Sequence, residues 1–504
     1  MRIRFGDFVL DSSTRQLERG DDPVHLTGKA FQLHDVDQQA LARPVTKAQF
    51  LPTRGEELYA TVRRACRVAR EGVPGPVFVE VPANLYLFRH EDDGAEDPRG
   101  TATREERTTA AHPGPAPDTA ALARAAELLN AARHPLLYPG LGAASAGEAL
   151  VPLAERLEAP VATTFQGKGV FPETHPLALW PGFGDAAPPF ARARAAGCDA
   201  TLAVGCRFGE VATGSYGLTP PQPLVHLDLD AGVPGRNFPA AATLIGDAAT
   251  LVPALLERLV EKPRDAALRQ AIAAGRAEVR AGWERAPGGG RVSPWRLLSA
   301  LQARLGPDAV YTTDSGNGTF LAMEMLRLER PGKFLAPVDY SCMGYAVPAA
   351  LGARLARPDC PVVALAGDGA FLMTGLELLT AAHEGAAVAV FVLRDRELAQ
   401  ISQFQSVAMG RKTASVLPDF DVPALAASLG VATARLERDD QIPAVLERVA
   451  AVTGSGRPIV VDTAIDYAEK TYFTRGVVRT NLGRLPWADR LRFVARAITR
   501  RLTG

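Results

Sequence analysis

The stretch 361-PVVALAGDGAFLMTGLELLTAAHEGAAVAVFVLRDRELAQISQFQ-405 decides the fold of this 504-residue chain. It opens with the apolar run Val362–Ala366, which predicts a buried parallel strand that ends in Gly367-Asp368-Gly369. A helical pattern, Met373–Glu384, follows it and leads to a second apolar run, Val388–Leu393. The stretch therefore predicts a strand–helix–strand unit, with a carboxylate just after the C-terminal end of each strand.

The two carboxylates suit a metal-bound diphosphate. Asp368 and Asp395 follow strands whose C-terminal ends lie side by side in an open parallel sheet, where ligands bind. Carboxylate oxygens are the hard ligands that Mg²⁺ prefers, and glycines let a phosphate approach the backbone closely. A lone Gly-Asp-Gly more often marks a simple tight turn. The complete unit is the more specific signal, and it predicts a Mg²⁺–diphosphate site.

This spacing resembles the metal and diphosphate motif of the thiamine-diphosphate (ThDP) enzymes, and the sequence is most similar to the acetolactate synthase and benzoylformate decarboxylase type. The family usually places Asn-Asn after the second strand, where this chain has Arg394-Asp395. The resemblance implies that Asp368, Asp395 and the backbone carbonyl of Glu397 bind Mg²⁺. The replacement of asparagine by Asp395 keeps an oxygen ligand and adds a negative charge.

Two further segments resemble parts of the same cofactor site. A strand over 309–313 leads to Asp314-Ser315-Gly316-Asn317-Gly318 and a helix, which puts free backbone N–H groups near a diphosphate. In the segment 340–350, Met343 matches the apolar side chain that bends the cofactor, and the Ser341 carbonyl matches the acceptor for its 4′-amino group. The resemblance thus implies these cofactor-binding residues: Ser341, Met343, Gly344, Asn317, Gly318, Gly367, Gly369 and Ala370.

Alternating strand and helix patterns predict an α/β fold of three doubly wound parallel-sheet domains. They are expected over residues 31–90, 118–260 and 293–470, and the first is similar to only the second half of the family's pyrimidine-binding domain. Residues 1–30 predict unrelated β-hairpins, and residues 471–504 predict a basic, solvated C-terminal helix or tail. The first α/β domain is therefore expected to be incomplete.

The incomplete domain matters for catalysis. In the ThDP family the missing half carries a glutamate that contacts the cofactor's aminopyrimidine and promotes its activation. Glu56, Glu57 and Glu80 are better interpreted as surface or structural charges. The sequence accordingly assigns no catalytic residue.

The central domain raises the question of a second cofactor. Gly205-Cys206-Arg207-Phe208-Gly209 follows a predicted strand, and this domain carries FAD in the acetolactate synthase branch. An ordinary strand-end turn is the favoured interpretation, with FAD as the alternative. His226 lies inside another predicted strand and is interpreted as a core residue.

Composition excludes several other classes. Lys+Arg and Asp+Glu both number 56, so no global charge points to nucleic acid or an anionic membrane. The five cysteines lack Cys-x-x-Cys spacing, which disfavours a zinc site or a disulfide framework. No apolar run approaches membrane-spanning length, and the N-terminus lacks a signal-peptide core. These observations predict a cytoplasmic protein.

Three functional hypotheses follow. The first is a ThDP- and Mg²⁺-dependent lyase or transferase that decarboxylates or ligates 2-oxo acids as a homodimer or homotetramer. The second is a truncated, catalytically impaired paralogue that binds the cofactor weakly or needs a partner chain. The third is a DNA-binding regulator, because residues 1–30 resemble the opening hairpins of a response-regulator winged-helix domain. The third is disfavoured, since no recognition helix follows those hairpins in the sequence.

Overall fold

The computed structural model describes the following parts of the chain: residues 2–5, 8–11, 16–19, 22–24, 37–86, 118–286, 289–490, 492 and 495. The chain divides into two compact units, Met1–Gly114 and Pro115–Gly504. The predictions made for residues 31–36, 87–90 and 496–504 lie outside the described residues. Among the described helices, none is long and apolar enough to cross a membrane.

The first unit holds one antiparallel sheet and one parallel sheet. Four strands pair antiparallel in chain order: β1 (Arg2–Phe5), β2 (Phe8–Asp11), β3 (Gln16–Arg19) and β4 (Asp22–Val24). Two further strands pair in parallel: β5 (Ala48–Phe50) and β6 (Val77–Val79). The described helices of this unit are α1 (Gln38–Ala42), α2 (Leu58–Arg70) and α3 (Ala83–Tyr86). Two parallel strands joined through α2 are one part of a doubly wound sheet, and the expected incomplete first domain is confirmed.

The central domain is a six-stranded parallel sheet with helices around it. Its strands are β7 (Pro135–Pro139), β8 (Val161–Thr163), β9 (Ala178–Pro181), β10 (Ala200–Val204), β11 (Leu224–Asp228) and β12 (Ala242–Ile245). Its helices are α4 (Thr119–Ala131), α5 (Gly147–Leu157), α6 (Pro189–Ala196) and α7 (Ala248–Leu256). The strand order is β12-β11-β10-β7-β8-β9. The chain adds strands on one side of β7 first and then on the other side, so the topological switch point lies between β7 and β10 while all strands stay parallel. The Asp118 side chain accepts hydrogen bonds from the N–H groups of Ala120 and Ala121, which confirms the predicted cap of α4.

The C-terminal domain contains a second six-stranded parallel sheet. After the linking helix α8 (Ala266–Arg285), its strands are β13 (Val310–Thr313), β14 (Phe334–Leu335), β15 (Val362–Gly367), β16 (Val388–Arg394), β17 (Ala432–Leu436) and β18 (Ile459–Ala464). Its helices are α9 (Pro294–Leu305), α10 (Asn317–Met325), α11 (Ala346–Ala356), α12 (Asp368–Thr374), α13 (Leu378–His383), α14 (Ala399–Met409), α15 (Val422–Ser428) and α16 (Ile442–Gly454). The strand order is β14-β13-β15-β16-β18-β17, so the topological switch point lies between β13 and β15, which remain parallel. Both complete domains confirm the predicted doubly wound α/β fold.

The strand–helix–strand unit of residues 361–405 lies at the centre of this sheet. Residues 388–393 of β16 are all buried, as expected for a strand covered on both faces. The helix begins at Asp368, five residues before the predicted start at Met373, and is interrupted at Gly375. A Cβ at Gly375 would lie 2.9 Å from the Phe371 ring, so the interruption accommodates close packing.

The helix α17 (Tyr472–Arg484), which follows β18, is not a solvated tail. Phe473, Gly476 and Thr480 are buried along one side of the helix. A Cβ at Gly476 would lie only 2.3 Å from the Cα of Ala186, so α17 packs tightly against the central domain. The solvated-tail prediction is therefore wrong for these residues, because small residues at helical spacing let α17 approach the central domain.

Candidate functional site

A cleft opens at the C-terminal ends of β13, β15 and β16, next to the point where the strand order reverses. This is the position at which doubly wound sheets bind ligands. Every residue that the sequence comparison assigned to the cofactor or metal lines the cleft, except Gly344. Gly344 is buried at φ +85°, and a Cβ there would lie 2.9 Å from Thr374 Cγ2. Gly344 therefore shapes the loop beside the cleft.

Asp368 connects the ends of the two central strands. Its side chain is 2% exposed, and its two oxygens accept the backbone N–H groups of Gly369 (2.8 Å) and Arg396 (2.7 Å). Burial raises the pKa of Asp368, while these N–H groups favour the ionised form. The carboxylate is thus held in a fixed position at the floor of the cleft.

Asp395 lines the same cleft, and the ionised form of its carboxyl group is disfavoured there. Burial, followed by the negative charge of Asp368, raises the pKa of Asp395 to about 7. Its carboxylate accepts a hydrogen bond from the Glu397 N–H at 3.3 Å. A buried and a half-buried carboxylate that repel each other in this way are stabilised by a cation between them. Their arrangement fits a divalent metal.

A pair of carboxylates is compatible with Mg²⁺. Within the described ranges, no group of three or more His, Cys, Asp or Glu side chains is placed to hold a metal ion. Mg²⁺ is commonly bound by one or two carboxylates, with phosphate oxygens and water completing its six ligands. Asp368 and Asp395 therefore suit a metal that is shared with a diphosphate.

The side chain of Glu397 is engaged elsewhere. Its carboxylate accepts hydrogen bonds from Ser402 Oγ (2.5 Å) and Lys412 Nζ. This pairing leaves the backbone carbonyl, rather than the carboxylate, as the atom that Glu397 could offer to a metal.

Arg394 is the residue at which the sequence departs most from the family pattern, and it does not line the cleft. Its guanidinium donates to Asp462 Oδ1 (2.6 Å) and to Glu437 Oε1 (3.0 Å), and its side chain is 12% exposed. The changed pair therefore alters the cleft only through Asp395. Arg394 instead joins the ends of β16, β17 and β18.

The N-terminus of α10 forms another wall of the cleft. Gly316, the N-cap, has φ +132°, a conformation that glycine adopts readily. A Cβ at Gly318 would lie 2.9 Å from Leu393 Cδ1, so this position has no room for a side chain. The first N–H groups of a helix lack partners within the helix and favour anions. This wall therefore suits the negative end of a diphosphate.

Asp314 lines the cleft and holds the start of α11 in place. Its Oδ1 accepts the N–H groups of Tyr345 (2.6 Å) and Ala346 (3.1 Å) at the start of α11. Among the described residues, its buried Oδ2 has no hydrogen-bond partner. Burial raises the pKa of this carboxyl group.

The loop before α11 supplies the apolar part of the cleft. The half-buried Met343 places its Cε 3.5 Å from the position that a Cβ would occupy on Gly369. Ser341 adopts φ +49°, which is uncommon for a residue with a side chain. Strained backbone of this kind is often found where a ligand is held.

Sequence reasoning missed Tyr467, which also lines the cleft. It lies three residues after β18, and β18 pairs with β16. The signal was available, because a residue that follows a neighbouring parallel strand emerges at the same sheet edge. Burial, and then the charges of Asp395 and Asp368, raise the pKa of Tyr467 well above its usual range.

The central domain has its own cleft where its strand order reverses, lined in part by Gly142, Gly205, Arg207 and Asp228. A Cβ at Gly205 would lie 2.4 Å from the carbonyl carbon of Gly142. The glycine at the start of the 205–209 segment therefore has a packing reason, in line with the favoured strand-end turn. His226 is 2% exposed, which confirms its interpretation as a core residue.

Comparison with protein families assigns both complete domains. The thiamine pyrophosphate enzyme central domain matches residues 122–255. The thiamine pyrophosphate enzyme C-terminal TPP binding domain matches residues 314–463, which include the whole set of predicted metal and cofactor residues.

Individual relatives extend the match across most of the chain. A probable acetolactate synthase large subunit of Methanocaldococcus jannaschii is 30% identical over 482 residues, which cover 91% of this chain and 78% of that protein. The acetolactate synthase large subunit of Parasynechococcus marenigrum is 32% identical over 460 residues, covering 88% and 71%. An acetolactate synthase of Mycobacterium bovis is 31% identical over 463 residues, covering 86% and 70%.

Proposed function

The chain belongs to the thiamine pyrophosphate enzyme family, and on this premise we propose that its C-terminal cleft binds ThDP together with Mg²⁺ and acts on 2-oxo acids. The observation that carries the proposal is that Asp368, Asp395 and the N-terminus of α10 line one cleft. One wall suits a divalent cation and the other suits an anion, as a metal-bound diphosphate requires.

Each group has a distinct part in this proposal. Asp368, Asp395 and the Glu397 carbonyl hold Mg²⁺, while the N–H groups of Asn317 and Gly318 face the diphosphate. Met343 supports the bent cofactor, and the Ser341 carbonyl accepts its amino group. When bound, ThDP supplies a nucleophilic carbon and an electron sink for 2-oxo acid chemistry. The chain's own residues position the cofactor and keep its diphosphate end in place.

We infer that activation of the cofactor depends on a group outside the described lining of the cleft. Its lining includes four carboxylates, those of Asp314, Asp368, Asp395 and Glu397. Asp314 caps α11, two belong to the proposed metal site, and Glu397 is paired with Ser402 and Lys412. This arrangement favours a second candidate function, a family member that binds ThDP but turns over slowly without a partner.

A second subunit would suit the surface beside the cleft. Leu372, Met373, Leu376 and Leu379 on α12, α13 and the turn between them are between 48% and 65% exposed. Clustered exposed apolar side chains commonly mark a protein interface. We therefore expect a homodimer or homotetramer. Sedimentation velocity of the ThDP-loaded chain tests this, and a monomer at micromolar concentration would contradict it.

Calorimetric titration with ThDP tests the proposed function. The unaltered chain should bind ThDP in the presence of Mg²⁺ and lose that binding in excess EDTA. Asp368→Ala should abolish Mg²⁺-dependent binding, because it removes the best-ordered of the two carboxylates. Asp359→Ala is the matched control, since Asp359 is an exposed aspartate just before the other end of β15. Absence of ThDP binding by the unaltered chain, or full binding by Asp368→Ala, would refute the proposal.

The same preparation tests the two less favoured assignments. Bound FAD would absorb visible light, whereas the favoured turn interpretation of residues 205–209 predicts a colourless protein. A DNA mobility-shift assay addresses the regulator hypothesis, for which retention of DNA at physiological salt would be the supporting result.

A further inference from the structure

Tyr467 places a hydroxyl group in the cofactor cleft that none of the sequence motifs accounts for. We propose that this hydroxyl donates a hydrogen bond to the diphosphate of the bound cofactor, beside the N-terminus of α10. The inference rests on the proposed function and adds one binding residue to it.

The position of the hydroxyl supports this assignment. Tyr467 Oη lies 3.6 Å from the point that a Cβ on Gly318 would occupy. Gly318 is the second residue of α10, so the hydroxyl stands beside the first N–H groups of that helix. A ligand oxygen that accepts from this helix N-terminus would lie within reach of the phenol.

The hydroxyl also has no other described function. No hydrogen bond among the described residues uses Tyr467 Oη, although the ring packs against the hydrophobic core. A tyrosine that is partly buried usually pairs its hydroxyl with a polar partner. The fixed ring and the unpaired hydroxyl together point to a ligand group as that partner.

The charge balance of the cleft gives a third reason. Among the described residues that line it, none is lysine, arginine or histidine. A diphosphate bound there must be stabilised by the metal, by backbone N–H groups and by neutral side-chain donors. A phenol is protonated at neutral pH and can donate without adding charge beside Asp368 and Asp395.

The surrounding segment holds the phenol in position. Tyr467 follows β18 and precedes α17, whose Phe473 stacks on Phe320 of α10 with ring centroids 4.6 Å apart. Phe320 lies three residues after Asn317, the first residue of α10, so it is about one turn from the N-terminal N–H groups of that helix. The stacking of Phe473 on Phe320 therefore helps to fix the Tyr467 hydroxyl relative to the N-terminus of α10.

Tyr467→Phe tests the proposal because it removes only the hydroxyl. We expect about tenfold weaker binding of ThDP in saturating Mg²⁺, and a similar loss for inorganic pyrophosphate, because a hydrogen bond to a charged group is lost. The melting temperature without ligand should be unchanged. Tyr216→Phe, at a half-exposed tyrosine of the central domain, is the matched control and should bind both ligands as the unaltered chain does.

The outcomes separate the inference from the function on which it rests. Equal ThDP affinity in Tyr467→Phe and the unaltered chain would overturn the inference and leave the proposed function intact. Weaker ThDP binding with unchanged pyrophosphate binding would also overturn it, since the hydroxyl would then act away from the diphosphate. Failure of the unaltered chain to bind ThDP would overturn both.

Discussion

Arg394 joins the strand ends next to the cleft and does not line the cleft itself. Its guanidinium lies between the carboxylates of Asp462 and Glu437, and the Asp462 side chain is only 6% exposed. The pair joins strands that lie side by side in the sheet, directly before Asp395. A buried carboxylate that loses its cation keeps the cost of its own desolvation.

We therefore expect Arg394→Ala to lower the free energy of unfolding by about 3–5 kcal/mol, the range for breaking a buried ion pair. Arg396→Ala is the control on the other side of Asp395, because Arg396 is 50% exposed and pairs with the exposed Asp419. An exposed pair of this kind contributes about 0–1 kcal/mol. Urea unfolding followed by circular dichroism measures both. Equal effects of the two substitutions would show that the Arg394 pair is not special.

The residue scale also shows what a motif can and cannot predict. Asp368 and Asp395 were found from the sequence because the strand–helix–strand spacing fixes where they emerge. The partner of Arg394 is 68 positions away, and no local pattern indicates that pairing. Tyr467 was missed for a related reason, since its place in the cleft depends on β18 lying next to β16.

At the scale of elements, α10 links the cleft to the domain joint. Its N-terminus faces the cleft, while Glu324 near its C-terminal end is 5% exposed. The Glu324 carboxylate accepts the N–H groups of Tyr472 (3.1 Å) and Phe473 (2.8 Å), which begin α17. Glu324 therefore fastens the helix that packs on the central domain. Sequence periodicity located α10 but could not show this contact, which joins residues 149 positions apart.

The titration of Glu324 gives a prediction for stability. Burial raises its pKa from 4.5 to about 8, and the N–H groups of Phe473 and Tyr472 and the charges of Arg475 and Lys168 offset only part of this rise. The folded state therefore holds a proton that the unfolded chain releases above about pH 4.5. The contribution of Glu324 to stability is complete below that pH and declines as the pH rises toward about 8.

Glu324→Gln should remove this decline, because glutamine keeps an oxygen acceptor for α17 and does not ionise. We expect the difference in unfolding free energy between the variant and the unaltered chain to move in favour of the variant from pH 5 to pH 8. Denaturant midpoints measured at several pH values give this difference. Glu447→Gln, at a largely exposed residue of α16, is the control. A difference that does not change with pH would contradict the assignment.

The whole molecule contains two complete α/β domains and one that is partial. The fully buried central strands of the two complete sheets could be assigned from the sequence, since parallel strands buried on both faces lack alternation, whereas β12, in which buried and exposed residues alternate, was not assigned. The packing of α17 against the central domain could not, because it depends on close approach at Gly476 rather than on a hydrophobic stripe. Among the described residues, every carboxylate that lines the C-terminal cleft either holds neighbouring backbone or side chains or belongs to the proposed metal site.

These roles of the lining carboxylates predict that the chain by itself will bind ThDP but turn over substrate slowly. The resemblance to the family implies a glutamate that contacts the aminopyrimidine, whereas Asp314 Oδ1 and the Glu397 carboxylate are hydrogen-bonded and the other two lining carboxylates belong to the proposed metal site. Loss of a positioned proton-transfer partner typically lowers a rate by about 10²–10⁴-fold. With saturating ThDP, Mg²⁺ and either pyruvate or benzoylformate, we expect CO₂ release slower by about that factor than the usual 1–10³ per second.

Asp368→Ala, which should not bind the cofactor, sets the background rate, and calorimetry shows that the unaltered chain is loaded. Turnover in the usual range by a loaded, homogeneous preparation would show that another group activates the cofactor, and would make the chain a complete catalyst.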